Sequence, residues 1–321
     1  MIRKNVRFNY FSINLTPEEV PDNLADRNIN NSWDMTEILD YLSVQRNSLD
    51  CVINVGEYIA DFERETLIYD QRANLYSFQL GKMRATGIPS LKRMGQPKED
   101  LQLNDDEYIG EFVTIIFDPT LCSVSVQSNK YSLNVNQVAV YLTELRRSYN
   151  NSINRVDTIP MKVNLAVILD TDRVRTIGNA DIFRKITIKG TDVMLDALAQ
   201  NGVLGEVSEF VGRAEGLNFE ISISLGRAPK GESLDADVVQ EIIEGFNHVD
   251  ETQKPKIEIT AREDEDAALE VVNLMAPTLS NFIVLHVEER RGIGHQYIHD
   301  TFVENYTRPR GRIRNAIRPL E

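Results

Sequence analysis

The sequence predicts an α+β protein in two parts. The first is a mostly antiparallel β-sheet domain with helices on one face. The second is a two-layer α/β domain, ferredoxin-like with a mixed sheet. Three observations carry this. Apolar and polar residues alternate through the first 158 positions, strand-like and helix-like runs take turns from position 159, and 321 residues exceed one ordinary core.

In chain order, Val6, Phe8 and Tyr10, then Ile13 and Leu15, alternate as an edge strand does. The run DMTEILDYL reads as a helix: Asp34 and Glu37 have capping-box spacing, and Ile38, Leu39 and Leu42 form its apolar stripe. Cys51, Ile53 and Val55 alternate until Gly56 bends the chain. The longer apolar run from Tyr108 to Phe117 is the predicted central strand, and Cys122, Val124 and Val126 alternate with Ser123, Ser125 and Gln127. VNQVAVYLTELRRS places Val138, Tyr141, Leu142 and Leu145 on one helical face. The polar run ending at Pro160 sets a boundary, giving domains 1–158 and 159–305 and an Arg-rich tail, 306–321.

The second domain offers strands in KVNLAVILD, FRKITIK, NFEISISLG, KIEITARE and NFIVLHVEE. Helices are expected in TDVMLDALAQ, DADVVQEIIEGF and DEDAALEVVNLM. Glu220, Ser222 and Ser224 alternate with Phe219, Ile221 and Ile223, which predicts one solvated sheet face and disfavours a doubly wound parallel sheet.

Composition narrows the class. The chain is 42% hydrophobic and 26% charged, typical of a globular protein, and no run approaches the about 18 apolar residues of a membrane span. The first residues lack the apolar core of an export signal, and Cys51 and Cys122 lie in strand-like runs. A cytoplasmic protein with reduced cysteines and no membrane contact is expected.

Charge supplies the clearest functional hint. The net charge is −14, divided as −6 over 1–158, −12 over 159–289 and +4 over 290–321. Residues 71–98 hold six cations and no acid. Phosphates attract Lys and Arg irrespective of sequence, and Arg adds bidentate contacts and stacking. Candidate anion or nucleic-acid contacts are therefore Lys82, Arg84, Lys92, Arg93, Lys98, Arg290, Arg291, His295, Arg308, Arg310, Arg312 and Arg314, with Tyr76, Phe78, Tyr297 and Tyr306 as stacking surfaces. The competing reading pairs the tail, as a strand or arm, with the acidic body of its own or a neighbouring subunit, locking a homo-oligomer.

Catalytic motifs are sparse. VILDTDRV puts Asp170 and Asp172 after an apolar strand, where paired carboxylates could hold a divalent cation. The pair resembles the first motif of haloacid-dehalogenase-like phosphatases, but Arg173 and Val174 replace that family's small turn residue and hydroxyl residue. A turn with a capping Asp explains the same residues. His295 and His299 share a helical face beside Asp300, with His286 on the preceding strand, the second candidate metal set. RRGIGHQ is also an anion-pocket candidate before a helix start. IEITARE has threonine where a restriction-type nuclease needs lysine after Glu258. No cofactor is expected; a divalent metal is the alternative.

The order VRFNYFSINL, VGEYIADFE, FQLGKMRATGIPS, DDEYIGEFVTIIFDP and SVSVQSN, mainly within residues 1–150, resembles an uncharacterised prokaryotic family encoded in mobile elements and near anti-phage genes. The resemblance implies a bacterial defence setting and assigns no catalytic residue. The combined expectation is a bacterial interaction or effector protein, not an enzyme, that contacts nucleic acid or an acidic partner as part of a complex. The alternatives are a metal-dependent hydrolase or nuclease and a structural subunit.

Overall fold

A computed structural model describes residues 2–18, 31–44, 49–170, 177, 180–199, 201–249, 253–275, 277–289 and 291–317. The chain forms two compact units. Unit 1 is Met1–Ile168 with Ser280–Glu321, and unit 2 is Leu169–Leu279. The expected division at 158 is thereby corrected. Strand β10 (Met161–Val167) belongs to unit 1, and so does everything from β15 (Ser280–Val287) onward.

Unit 1 is built on β1 (Ile2–Pro17), a 16-residue strand inside an antiparallel sheet, second from one end rather than at its edge. On one side, Phe8–Ser12 pair with β9 (Ser123–Gln127), and Asn14 and Leu15 pair with β2 (Asn31–Ser32). On the other side two strands lie end to end: β15 covers Ile2–Asn9 and β10 covers Phe11–Pro17. The sheet continues from β9 through β8 (Ile109–Asp118), β5 (Leu75–Arg84) and β4 (Tyr58–Asp70) to β3 (Ile53–Val55). Gly56 turns β3 into β4 at φ +66°, a conformation that costs glycine little. The predicted central strand is β8, interior as expected.

The period of two sends alternate residues to opposite faces, and both faces are covered. Phe11, Phe78, Leu80, Val113, Ile115, Phe117 and Val124 form the main core together with buried residues of α1 (Thr36–Val44) and α2 (Val135–Ser152). Asn134 and Gln137 make a reciprocal capping box at the start of α2. The opposite face is covered by α6 (His295–Asn305) and α7 (Thr307–Ile317). Phe302 meets Phe8 at 4.8 Å between ring centroids and stacks on Tyr306 at 5.0 Å. The expectation of helices on one face fails because the chain's last helices return to a sheet begun by its first residues. This second face is also more polar, with Ser77, Thr114, Asp118, Ser123 and Ser125 all buried.

In unit 2, β11 (Ile182–Thr191) is flanked by β12 (Asn218–Ser224) and β13 (Lys256–Arg262), with β14 (Glu270–Asn273) outside β13. Helices α3 (Leu195–Leu198), α4 (Gly202–Arg213) and α5 (Ala236–His248) supply Leu198, Leu204, Val239, Ile242 and Phe246 to its core. Asp235 caps α5 through the amides of Asp237 and Val238 at 2.9 and 3.2 Å. All described pairings in this sheet are antiparallel, not mixed. One split β–α–β unit occurs, β12–α5–β13 around β11, but β14 joins as a hairpin rather than closing the second split unit of a ferredoxin-like sheet. The predicted helix in DEDAALEVVNLM is instead a turn capped by Asp264 followed by β14, because adjacent Val271 and Val272 favour an extended chain. The run GVLGE begins α4.

Candidate interaction surface and an aromatic cleft

The acid-free segment 71–98 divides into a buried part and a projecting part. Leu75–Arg84 is strand β5, so Tyr76 and Phe78 are core residues rather than stacking surfaces. Lys82 lies 3.5 Å over the Tyr58 ring, and Arg84 faces Glu111 across the β5–β8 pair at 3.6 Å. Beyond Arg84 the chain leaves the sheet and returns at Ile109. The excursion carries its own small hairpin, β6 (Ser90–Lys92) with β7 (Lys98–Asp100), and residues 89–102 are all exposed. Met94 at its tip is 100% exposed. Residues 90–98 carry Lys92, Arg93 and Lys98 and no acid. Arg93 pairs with Glu99 and Lys98 with Asp100, both at the base of the hairpin, and Lys92 bonds the Gln96 carbonyl.

The described part of the tail, Thr307–Ile317, is a helix rather than a strand. Pro309 and Ile313 are buried. Arg310 binds the buried Asp118 carboxylate through Nε at 2.7 Å and Nη2 at 3.0 Å, and it donates to the Ala73 carbonyl at 3.1 Å. Tyr306, expected as a stacking surface, donates to Asp118 at 3.2 Å, and burial beside that carboxylate pushes its phenol well above its ordinary pKa. Arg310 is thus neutralised inside its own chain. Arg308 and Arg314 are exposed, while Arg312 is half-buried near Tyr10.

The other candidates separate. His295 Nε2 lies 2.7 Å from Ser77 Oγ beneath α6, and His299 lies 3.8 Å from Asp70. Burial, and then the neighbouring His299, lower His295 to about 4, so it is neutral near pH 7. His286 is exposed on β15. Arg291 pairs with Glu288 at 2.8 Å, and Arg290 lies outside the described residues. Asp170 is buried beside a two-strand bridge, its amide donating to the Pro277 carbonyl at 2.7 Å, and Asp172 lies outside the described residues. Among the described residues no group of three or more His, Cys, Asp or Glu is placed to hold a metal ion. Nor is any described helix long and apolar enough to cross a membrane. Cys51 is buried, and desolvation raises its thiol above the ordinary range.

One feature escaped the sequence reading. A cavity of about 200 Å³ opens between α1, α2 and β1, lined by Trp33, Asp34, Glu37, Arg146, Tyr149 and Arg155 among others. Asp34 caps α1 through Oδ1, but Glu37 does not complete a capping box. It grips Arg155 at 2.8 and 2.9 Å, and that contact first, with help from Tyr149, lowers its pKa. Arg146 is held by Asp157 at 2.5 and 2.8 Å. A lone tryptophan and arginines 113 or more residues away carry no short-range signal of their meeting.

Comparison with known proteins adds family membership. No curated protein matches the chain. A family model matches residues 1–315, so the likeness reaches through both units and nearly all of α7 rather than stopping near residue 150. The chain belongs to a family of unknown function, DUF6731.

Proposed function

We propose that this chain is a non-catalytic binding protein whose β6–β7 hairpin engages nucleic acid. The observation that supports it is the hairpin tip, where a 100% exposed Met94 sits among Lys92, Arg93 and Lys98. A two-stranded ribbon fits the major groove, where cations neutralise the flanking phosphates and an apolar side chain can meet a thymine methyl. The pairs Arg93–Glu99 and Lys98–Asp100 have side chains more than half exposed. Exposed pairs contribute about 0–1 kcal/mol, so a phosphate can displace either carboxylate. The net charge of −14 confines contact to such local patches, and exposed Arg308 and Arg314 on α7 offer a second one.

The test is fluorescence anisotropy of labelled single- and double-stranded DNA and RNA across a salt series. Three phosphate contacts give a log–log slope of about −3 on duplex DNA. A Lys92→Glu, Lys98→Glu double variant should weaken binding at least ten-fold and flatten the salt slope. Wild-type protein that binds none of the four probes at low ionic strength overturns the proposal.

A further inference from the structure

We propose that the cleft beside Trp33 binds a single uncharged heteroaromatic ring of the nucleobase class. Its volume of about 200 Å³ lies under the roughly 300 Å³ at which drug-sized pockets begin, so it admits one ring system rather than a whole nucleotide.

The walls are flat groups: the Trp33 indole, the Tyr149 phenol and the guanidinium groups of Arg146 and Arg155. Both guanidinium edges are already committed, Arg146 to Asp157 at 2.5 and 2.8 Å and Arg155 to Glu37 at 2.8 and 2.9 Å. A guanidinium whose fork is occupied still offers a weakly hydrated plane for stacking. An anionic ligand would have to evict a carboxylate from one fork, whereas a neutral ring displaces only water. The lining also balances, since Arg146 and Arg155 face Asp34 and Glu37. That balance selects against net charge of either sign.

Two groups are placed to read a ring's edge. Asn150 is buried in the cleft wall, and its amide approaches Asp157 only at 3.5 Å. Asp34 spends Oδ1 on the Thr36 amide and hydroxyl at 2.9 and 2.6 Å, which, among the described residues, leaves Oδ2 for a ligand donor. Stacking tolerates any base, while an edge of fixed donors and acceptors discriminates among them. The ring could arrive as a free nucleoside or as a base of a single strand; the chemistry recognised is the same.

Trp33 is the chain's one tryptophan, so nitrogen-labelled protein shows a single indole N–H resonance, and it reports from the cleft itself. Adenosine, guanosine, cytidine and uridine are titrated separately, with inorganic phosphate as the charged control. At least one nucleoside should shift the resonance saturably at millimolar concentration or below, and phosphate should not. Asp34→Asn keeps the helix cap, because asparagine caps as well as aspartate, yet turns an acceptor into a donor. It should change the ratio of affinities between bases by about five-fold or more. Short homopolymer strands distinguish the source. Equal affinity per base marks the free ring as ligand, and at least ten-fold tighter binding marks the strand. The Lys92→Glu, Lys98→Glu double variant should leave the signal intact, which separates this site from the hairpin. A resonance unmoved by all four nucleosides, or moved by phosphate alone, overturns the assignment.

Discussion

Replacing Arg310 with methionine should release the C-terminal helices, and the structure sets the size of the effect. The Asp118 side chain is 2% exposed and receives Arg310 at 2.7 and 3.0 Å, Tyr306 at 3.2 Å and the Thr120 amide at 3.0 Å. Removing one partner of a buried ion pair costs about 3–5 kcal/mol, because the other charge is left uncompensated. Here Tyr306 and Thr120 remain as donors, and Arg310 is itself 24% exposed, so about 2–3 kcal/mol is the expected loss. Asp118→Asn strands no buried anion and should cost about 1–2 kcal/mol. The double variant should be less destabilised than the two losses added together, by a coupling of about 1–2 kcal/mol. Urea unfolding followed by Trp33 emission reads unit 1 alone, since no tryptophan lies in unit 2. Amide exchange across Thr307–Ile317 should accelerate in parallel. An Arg310→Met protein within 0.5 kcal/mol of wild type (about the measurement error), or strict additivity in the cycle, would refute the lock.

Two further outcomes are expected. The folded pKa of His295 is depressed to about 4 from 6.5, so the unfolded chain takes up its proton first. Stability is then unaffected above about pH 6.5 and falls as pH drops toward 4, by about 3 kcal/mol in total from this group. His299, also depressed by burial but opposed by Asp300 and Asp70, acts in the same direction. Urea midpoints at pH 7 and pH 5 check this, and a pH-independent midpoint for wild type would contradict it. In unit 2, a Cβ at Gly190 would lie 2.7 Å from the Phe219 ring of the paired strand. Gly190→Ala should therefore cost about 1–3 kcal/mol by displacing Phe219, visible as a lowered calorimetric transition. An unchanged thermogram would mean that the ring moves aside freely.

Local elements were legible and long-range pairing was not. Alternation located β1, β3, β9 and β12, an apolar run located β8, the turn-taking of strand-like and helix-like runs located β11, β13 and α5, and apolar stripes located α1 and α2. A period of two says that a strand has two faces, but not which strands flank it. KVNLAVILD and NFIVLHVEE thus joined the wrong domain, although both pair with β1. The charge pattern misled in a related way. An acid-free stretch counts equally whether its cations flank a buried strand, as Lys82 and Arg84 do, or project on a hairpin, as Lys92 and Lys98 do. Arg310 reads as an anion contact in the sequence because its carboxylate, Asp118, is 192 residues away. The cleft was invisible for the same reason. Glu37 read naturally as a local cap until Arg155, 118 positions on, claimed it.

The end-to-end arrangement of β10 and β15 along β1 has a consequence for biosynthesis. During translation, β1 emerges before the other described strands, yet the strand that covers Ile2–Asn9 begins at Ser280. For most of elongation that flank keeps a row of unmet amide and carbonyl groups, the kind of template that captures other extended chains. Leu169–Leu279, by contrast, has all of its strand partners within reach as soon as Leu279 clears the ribosome. The later-made unit can therefore mature ahead of the earlier one. A nascent chain paused with Leu279 just outside the ribosome and β15 still within it would carry a finished insert while the β1 seam stayed open and association-prone.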